Sequence, residues 1–302
     1  MRVPGRSAAV VLAVLLAARG AAALPTSAAC GAAKGGCGPA MVGVPGGSSG
    51  PSVPAPSWVS SMLAAWMLDE TTGTRVNLQG NAARDLSIID SSDPGNSTDR
   101  MEGARSMSIT ITGARHTSDA SWADLVSPLS VGCWIKYTQG GKAVMHDWQT
   151  TVAGNFTLTA FPTAGGRFEF QLRDSGVGTL TAVSPSVYPT GVWSHVVGTM
   201  ASGAFVTLYM NGAQAAQVAM STTAAARNAP FYLGDNSAFL GLLDECWVGN
   251  VLLSAASVCR ICSCGIRGEQ CACSGTSYTN SGRNAASCGS CTLPACNAAT
   301  PP

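Results

Sequence analysis

Between residues 106 and 250 apolar and polar positions alternate in short runs, and no run holds the 3.6-residue period of a long amphipathic helix. Residues 106–113 (SMSITITG) place Met107, Ile109 and Ile111 on one face. Residues 129–138 (LSVGCWIKYT) do the same with Leu129, Val131, Cys133 and Ile135. Residues 155–161 (NFTLTAF) and 167–174 (RFEFQLRD) flank a turn at Gly165-Gly166. Residues 193–220 read as three strands joined by a tight turn at Ala201-Ser202-Gly203 and by Asn211-Gly212, a strong two-residue hairpin signal. Residues 230–235 (PFYLGD) and 239–250 (FLGLLDECWVGN) close the series. About a dozen short strands with no helices between them argue against a parallel βαβ sheet and predict an all-β fold of two antiparallel sheets packed face to face.

The flanks read differently. Residues 1–23 have the form of a signal peptide: Arg2 and Arg6 at the start, an apolar stretch over 8–18 too short to span a bilayer, and Ala21-Ala22-Ala23 as small residues for cleavage. Residues 24–57 are a Gly/Ser/Pro-rich linker without apolar residues enough to fold alone. The sandwich domain is placed at 58–258 and a cysteine-rich tail at 259–302. The chain has 12 cysteines, all beyond the signal. Four are Cys30, Cys37, Cys133 and Cys246; the tail holds Cys259, Cys262, Cys264, Cys271, Cys273, Cys288, Cys291 and Cys296. An even count in an exported chain points to disulfides rather than zinc, although Cys259-x-x-Cys262 and Cys288-x-x-Cys291 have ligand-like spacing. Cys30 and Cys37 are expected to close a small loop. The tail has little apolar content, so its crosslinks must hold it together. A formal net charge of +1 with 11% charged residues leaves no basic stripe for nucleic acid. The expected location is extracellular or at the cell surface, without a membrane span.

Residues 64–88 (AAWMLDETTGTRVNLQGNAARDLSI), 129–137 (LSVGCWIKY), 191–214 (GVWSHVVGTMASGAFVTLYMNGAQ) and 239–258 (FLGLLDECWVGNVLLSAASV) occur in the order of four motifs of laminin G-like modules, and the chain resembles that family over 64–257. The resemblance implies a concanavalin A-like jelly-roll sandwich. It also makes the strands of Cys133 and Cys246 neighbours, so a Cys133–Cys246 disulfide is expected, each cysteine standing where the family has a small or apolar core residue. Asn77 stands where many members have Asp. The fold hosts lectins, adhesion modules and glycanases, so it does not name the ligand.

Retaining glycanases need two carboxylates ~5–5.5 Å apart. Asp69-Glu70 and Asp244-Glu245 are adjacent, so regular strands would turn each pair to opposite faces, and Glu169 and Asp174 are likewise split. These acids read as structural. No GxSxG elbow accompanies His116, His146 or His195, and His195 belongs to a strand signature. The expected function is that of a secreted, non-enzymatic module binding extracellular glycan or protein through loops at one rim. Its candidate contacts are Asp147, Trp148, Asn155, Asp235, Asn236 and Ser237. Trp148 lies at a strand end (MHDWQT), where an exposed indole would stack on a sugar ring. The resemblance also implies a rim Ca²⁺ site, with Asn155, Asp235 and Asn236 as oxygen donors. A divergent glycoside hydrolase or lyase and a purely structural surface protein are the alternative readings. Asn96-Ser97-Thr98 and Asn155-Phe156-Thr157 are glycosylation sequons, and a sugar on Asn155 would compete with the metal.

Overall fold

The structure, a computed structural model, describes residues 61–89, 95–110, 116–118, 122, 127–139, 142–147, 156–161, 166–174, 178–221, 230–234, 239–266, 271–274, 277–280 and 288. The signal and linker segments, Cys30 and Cys37 lie outside these residues. The strands are β1 (Met62–Trp66), β2 (Leu86–Ile88), β3 (Gly95–Ser97), β4 (Ser106–Ile109), β5 (His116–Ser118), β6 (Leu129–Gln139), β7 (Lys142–His146), β8 (Phe156–Phe161), β9 (Arg167–Asp174), β10 (Gly178–Val183), β11 (Ser194–Ala201), β12 (Phe205–Met210), β13 (Ala213–Ala219), β14 (Tyr232–Leu233) and β15 (Leu240–Gly249). Helix α1 (Ala255–Cys264) follows, then a small hairpin of β16 (Cys271–Ser274) and β17 (Ser277–Asn280).

Two antiparallel sheets form the expected jelly-roll sandwich. One has the order β13-β12-β11-β6-β15-β4-β3, with β1 also on β15; the other has the order β10-β9-β8-β7-β14-β5-β2. The alternation read from the sequence is the alternation that fills the core. Leu129, Val131, Cys133, Ile135, Val196, Met200, Val206 and Leu208 of the first sheet meet Phe156, Leu158, Phe168, Phe170 and Leu172 of the second. At Gly198 an added Cβ would lie 2.3 Å from the Phe170 ring, so the missing side chain is what lets the two sheets close there. The Asn211-Gly212 turn has φ of 51° and 83°, the two left-handed residues that this hairpin requires. One strand is shorter than its pattern: of the described residues 230–234 only Tyr232–Leu233 is strand.

The centre of the first sheet breaks the period of two. Leu243 pairs with Ile135 and Asp244 with Trp134, but Trp247 pairs with Gly132, so Glu245 and Cys246 together oppose Cys133. This β-bulge, with Glu245 at φ 44°, lets Leu243, Cys246 and Val248 all face the core, which no regular strand allows. Cys133 and Cys246 are disulfide-bonded across the two neighbouring strands, as the resemblance implied. The bridge closes a sequence separation of 113 residues, about 4–5 kcal/mol in the chain-entropy model.

The bulge also corrects the expectation that Asp244 and Glu245 point to opposite faces. Asp244 accepts from the backbone N–H groups of Met101 (2.7 Å) and Glu102 (3.1 Å), and Glu245 accepts from that of Ile266 (3.4 Å), both on the outer side of the sheet. Asp69 accepts from Ala104 and Arg105 at 2.6 and 2.8 Å, so two carboxylates from distant motifs grip residues 101–105. Glu70 accepts from the N–H of Val76. Asn77 is buried; its Oδ1 accepts from Ala65 and Gln79, while its Nδ2 donates to the carbonyl of Asn81. That last bond uses an amide donor that an Asp at this position would lack.

The domain boundary expected at 258/259 runs through helix α1. Ser254 caps the helix by accepting from Ser257 N–H, and Val258, Ile261 and the following Ile266 pack on the outer face of the first sheet against Met62, Ala65, Val197, Tyr209 and Trp247. The start of the tail therefore borrows the sandwich for its core, correcting the expectation that crosslinks alone support it. Cys262–Cys288 is a disulfide that sits with Met101, Trp134 and Trp193 on the same face. Cys259 and Cys264 each take part in a disulfide as well. The side chains of Cys271 and Cys273, with Cys291 and Cys296, lie outside the described residues.

Gly198→Ala is expected to cost about 1–3 kcal/mol by overpacking against Phe170, read as a lower urea midpoint with unchanged slope. A second expectation concerns Asp99, which accepts from Trp193 Nε1 at 2.9 Å and pairs with Lys136. Burial acts to raise its pKa, but the Lys136 and Trp193 hydrogen bonds and the Lys136 charge outweigh it and hold it below 3.8. A depressed carboxylate stabilises the fold above its unfolded value and loses that contribution as pH falls through the folded value. The melting temperature of wild type should thus fall towards that of Asp99→Asn below about pH 4 and exceed it at neutral pH.

Candidate functional site

With helix α1 covering one outer face of the sandwich, the outer face of the seven-stranded sheet becomes the place to look for chemistry. Its register aligns one residue from every strand. Thr181 on β10 pairs with Gln171 on β9, Gln171 with Thr157 on β8, Thr157 with His146 on β7, His146 with Tyr232 on β14, Tyr232 with Thr117 on β5, and Thr117 with Ser87 on β2. Every member of this row carries a hydroxyl, amide or imidazole. Directly opposite residues share a face of a sheet, and on β8 and β9 the residues flanking the row, Phe156, Leu158, Phe170 and Leu172, point into the core. Strands spaced ~4.8 Å apart make the row roughly 29 Å long.

Period two explains the outward direction on β8, β9 and β10, whereas on β7 a register shift between Ala143 and Met145, with Val144 and Met145 both in the core, brings His146 to the outer side. The His146 and Tyr232 rings stack at 4.9 Å with 16° between planes, forming an aromatic step in the middle of the row. Thr157 and Thr159 are nearly buried between longer neighbours, with Gln171 and Glu169 opposite them on β9. Thr181, Gln171, His146, Tyr232, Thr117 and Ser87 are half-buried. A second row runs alongside through Val183, Glu169, Thr159 and Ala143. Glu169 is the one carboxylate at the described outer strand positions of this face, and it accepts from Gln171 Nε2 at 2.9 Å. A face of this kind offers hydrogen-bond donors and acceptors at regular intervals and one flat aromatic surface.

Of the residues expected at a rim, Asp147 is placed differently. Asp147 is fully buried; its Oδ1 accepts from the N–H of Phe156 at 2.6 Å and ties the end of β7 to the start of β8. It is a structural brace rather than a surface contact. Trp148, Asn155, Asp235, Asn236 and Ser237 lie outside the described residues. Among the described residues no three His, Cys, Asp or Glu side chains gather as metal ligands.

His195 is buried on the other sheet, its ring 5.0 Å from that of Trp134, and its backbone N–H donates to Asn211 Oδ1. It braces the 211–212 turn. Burial raises the pKa of Tyr137, Tyr188 and Tyr209, which are all away from the polar row. Sequence reasoning had Gln171 and Tyr232 in hand as separate strand residues and His146 at a strand end. Nothing in their spacing along the chain shows that they align, because the alignment is a property of the register.

The family model described as the concanavalin A-like lectin/glucanases superfamily, a laminin G form, matches residues 110–259. No curated protein matches the chain. Among solved structures, domain 4 of AbnA, a GH43 extracellular arabinanase from Geobacillus stearothermophilus solved with arabinotriose, is similar at 17% identity and a TM-score of 0.53, over 66% of this chain and 96% of that one. The binding domain of Paraclostridial Mosquitocidal Protein 1 is similar at 11% identity and 0.53, over 68% of this chain and 53% of its own. The receptor binding domain of botulinum neurotoxin mosaic serotype C/D is similar at 14% identity and 0.51, over 67% and 50%. The chain spans about half the length of these last two structures, and at such identities the likeness is one of fold. Two antiparallel jelly-roll sheets, four motifs in order and the matched segment lead to one conclusion: the chain carries a laminin G-like domain of the concanavalin A-like superfamily.

Proposed function

We propose that the chain is an exported, non-enzymatic binding module that holds a linear saccharide along the polar row of the seven-stranded sheet. The observation that carries this reading is the row itself: seven strands each contribute a hydrogen-bonding side chain at one level, with a stacked His146–Tyr232 step at its centre. A saccharide chain presents hydroxyls along its length and apolar C–H faces between them, which match spaced polar groups and a flat ring. The disulfides support an oxidising, extracellular setting. A solved domain of this fold in complex with arabinotriose supports the ligand class. Hydrolysis with two flanking carboxylates would need a partner for Glu169 within ~5–10 Å; the neighbouring described outer positions are Thr159, Val183 and Gln171.

In sequence the expected rim segments adjoin members of this row: residues 147–155 follow His146, and Asp235 comes three positions after Tyr232. Trp148, Asn155, Asp235, Asn236 and Ser237 are the positions from which a Ca²⁺-dependent rim contact to glycan or protein would be made, and this is the second reading.

A glycan array probed with the mature chain, with millimolar Ca²⁺ and with EDTA, separates the two. The sheet reading expects EDTA-insensitive binding that Gln171→Ala weakens about 3- to 10-fold, the worth of one hydrogen bond, with an unchanged melting temperature. Binding abolished by EDTA and by Asp235→Ala, yet unmoved by Gln171→Ala, would transfer the site to the rim. A blank array would remove both.

A further inference from the structure

Asn96 lies in the middle of β3, the last strand of the first sheet, and holds an open end of the sandwich together. It pairs with Met107 of β4, a core residue, and directly opposite residues share a face, so its side chain stands at the margin of the core. Its Nδ2 donates to the carbonyl of Thr71 at 2.6 Å, and its Oδ1 accepts from the guanidinium of Arg105. The stretch from Thr71 reaches β2 through the Arg75–Leu86 pair, and β2 is the last strand of the other sheet. The Asn96 amide thus clasps the two sheets where neither has a further strand among the described residues.

The clasp accounts for Asn96 but not for Thr98. Thr98 is exposed, and its hydroxyl makes no hydrogen bond among the described residues; only its carbonyl is used, accepting from Arg100. Asn96-Ser97-Thr98 is an N-glycosylation sequon, in which the hydroxyl at the third position is part of what is recognised. Gly95 and Thr98 are exposed on either side of the half-buried Asn96, which leaves the surface open to a bulky group. A side-chain amide nitrogen carries two hydrogens, and Nδ2 spends one on Thr71. The other meets no acceptor among the described residues.

We infer that Asn96 is an N-glycosylation site, whose first sugar replaces the second Nδ2 hydrogen and leaves both clasp bonds standing. The donor is a polyprenyl diphosphate-linked oligosaccharide. Its C1–O bond breaks, the Nδ2–C1 bond forms, the polyprenyl diphosphate leaves, and the displaced amide proton passes to a base of the transferase. Such a transfer needs the chain to enter a secretory pathway and so rests on the export reading, which the two disulfides support. The glycan stands over a three-residue edge strand and adds bulk where unpaired backbone groups face solvent. That edge belongs to the first sheet, whereas the polar row belongs to the second.

The full chain, secreted by a eukaryotic cell line through its own signal, tests the site. Trypsin releases residues 85–100 as one peptide in which Asn96 is the sole asparagine, so this sequon reads separately from that of Asn155. The expected result is a glycosylated 85–100 peptide that acquires the heavy-oxygen Asn96→Asp mark when a peptide N-glycosidase strips it in heavy-oxygen water. Thr98→Ala, which keeps both clasp bonds, should abolish the mark and lower the apparent mass by one glycan. An endoglycosidase that leaves the first sugar should leave a higher melting temperature than the N-glycosidase, because Asn96→Asp removes the donor to Thr71. An unmodified 85–100 peptide from secreted chain, or a mark that survives Thr98→Ala, would overturn the site and leave the export reading standing. Equal melting temperatures for the two digests would overturn the retained clasp. A chain kept inside the cell with residues 1–23 uncleaved would overturn export and the glycan together.

Discussion

The structure turns on one extra residue. Glu245 inserts a bulge where β15 crosses β6, and the insertion solves a problem of parity. Leu243 and Cys246 are three apart, so a regular strand would send one of them to the surface. With the bulge both enter the core, Cys246 reaches Cys133, and the two central strands are joined covalently. The same insertion turns Asp244 and Glu245 outward together, where each accepts backbone N–H groups from a different segment. Residues 101–105 and the chain beyond α1 are thereby tied to the middle of the sheet. A left-handed φ at a glutamate carries a local cost, and the disulfide and buried carboxylate bonds hold it in place.

Those bonds also decide what the acidic residues are for. Asp69, Glu70, Asp244 and Glu245 resemble the raw material of a hydrolytic site when read as letters. In the structure each is occupied by backbone donors. The loop that Asp69 and Asp244 grip is thereby tied to both the N-terminal motif and the closing strand, and Asp99 at its base holds both Trp193 and Lys136. The acids act as loop anchors, which is why they recur in strand signatures without implying catalysis.

The two outer faces have divergent fates. The first sheet is capped by α1 and by the Cys262–Cys288 bridge over Trp134 and Trp193, so its outer side becomes a second core. The second sheet keeps hydroxyls, an amide and stacked rings on its outer side. The sandwich is thus one-sided: the tail covers one outer face, and polar side chains line up on the other.

The alternation of residues 129–138, 167–174 and 193–220 was enough to determine strands, their inward faces and the Asn211-Gly212 hairpin, because period two and turn stereochemistry are local. Family order added the pairing of Cys133 with Cys246. Strands of three residues, such as β2, β3 and β5, were illegible, since so short a run has no period and is extended only because a neighbour pairs with it. The 258/259 boundary failed for a related reason: composition marks where cysteines begin, whereas a helix belongs to whatever surface its apolar side meets. Asp147 was misread as a rim residue because a buried brace and a surface ligand look alike in one dimension. The polar row was beyond the sequence altogether. Ser87, Thr117, His146, Thr157, Gln171, Thr181 and Tyr232 are scattered over the chain, and only inter-strand register, a property of tertiary hydrogen bonding, brings them to one level of one face.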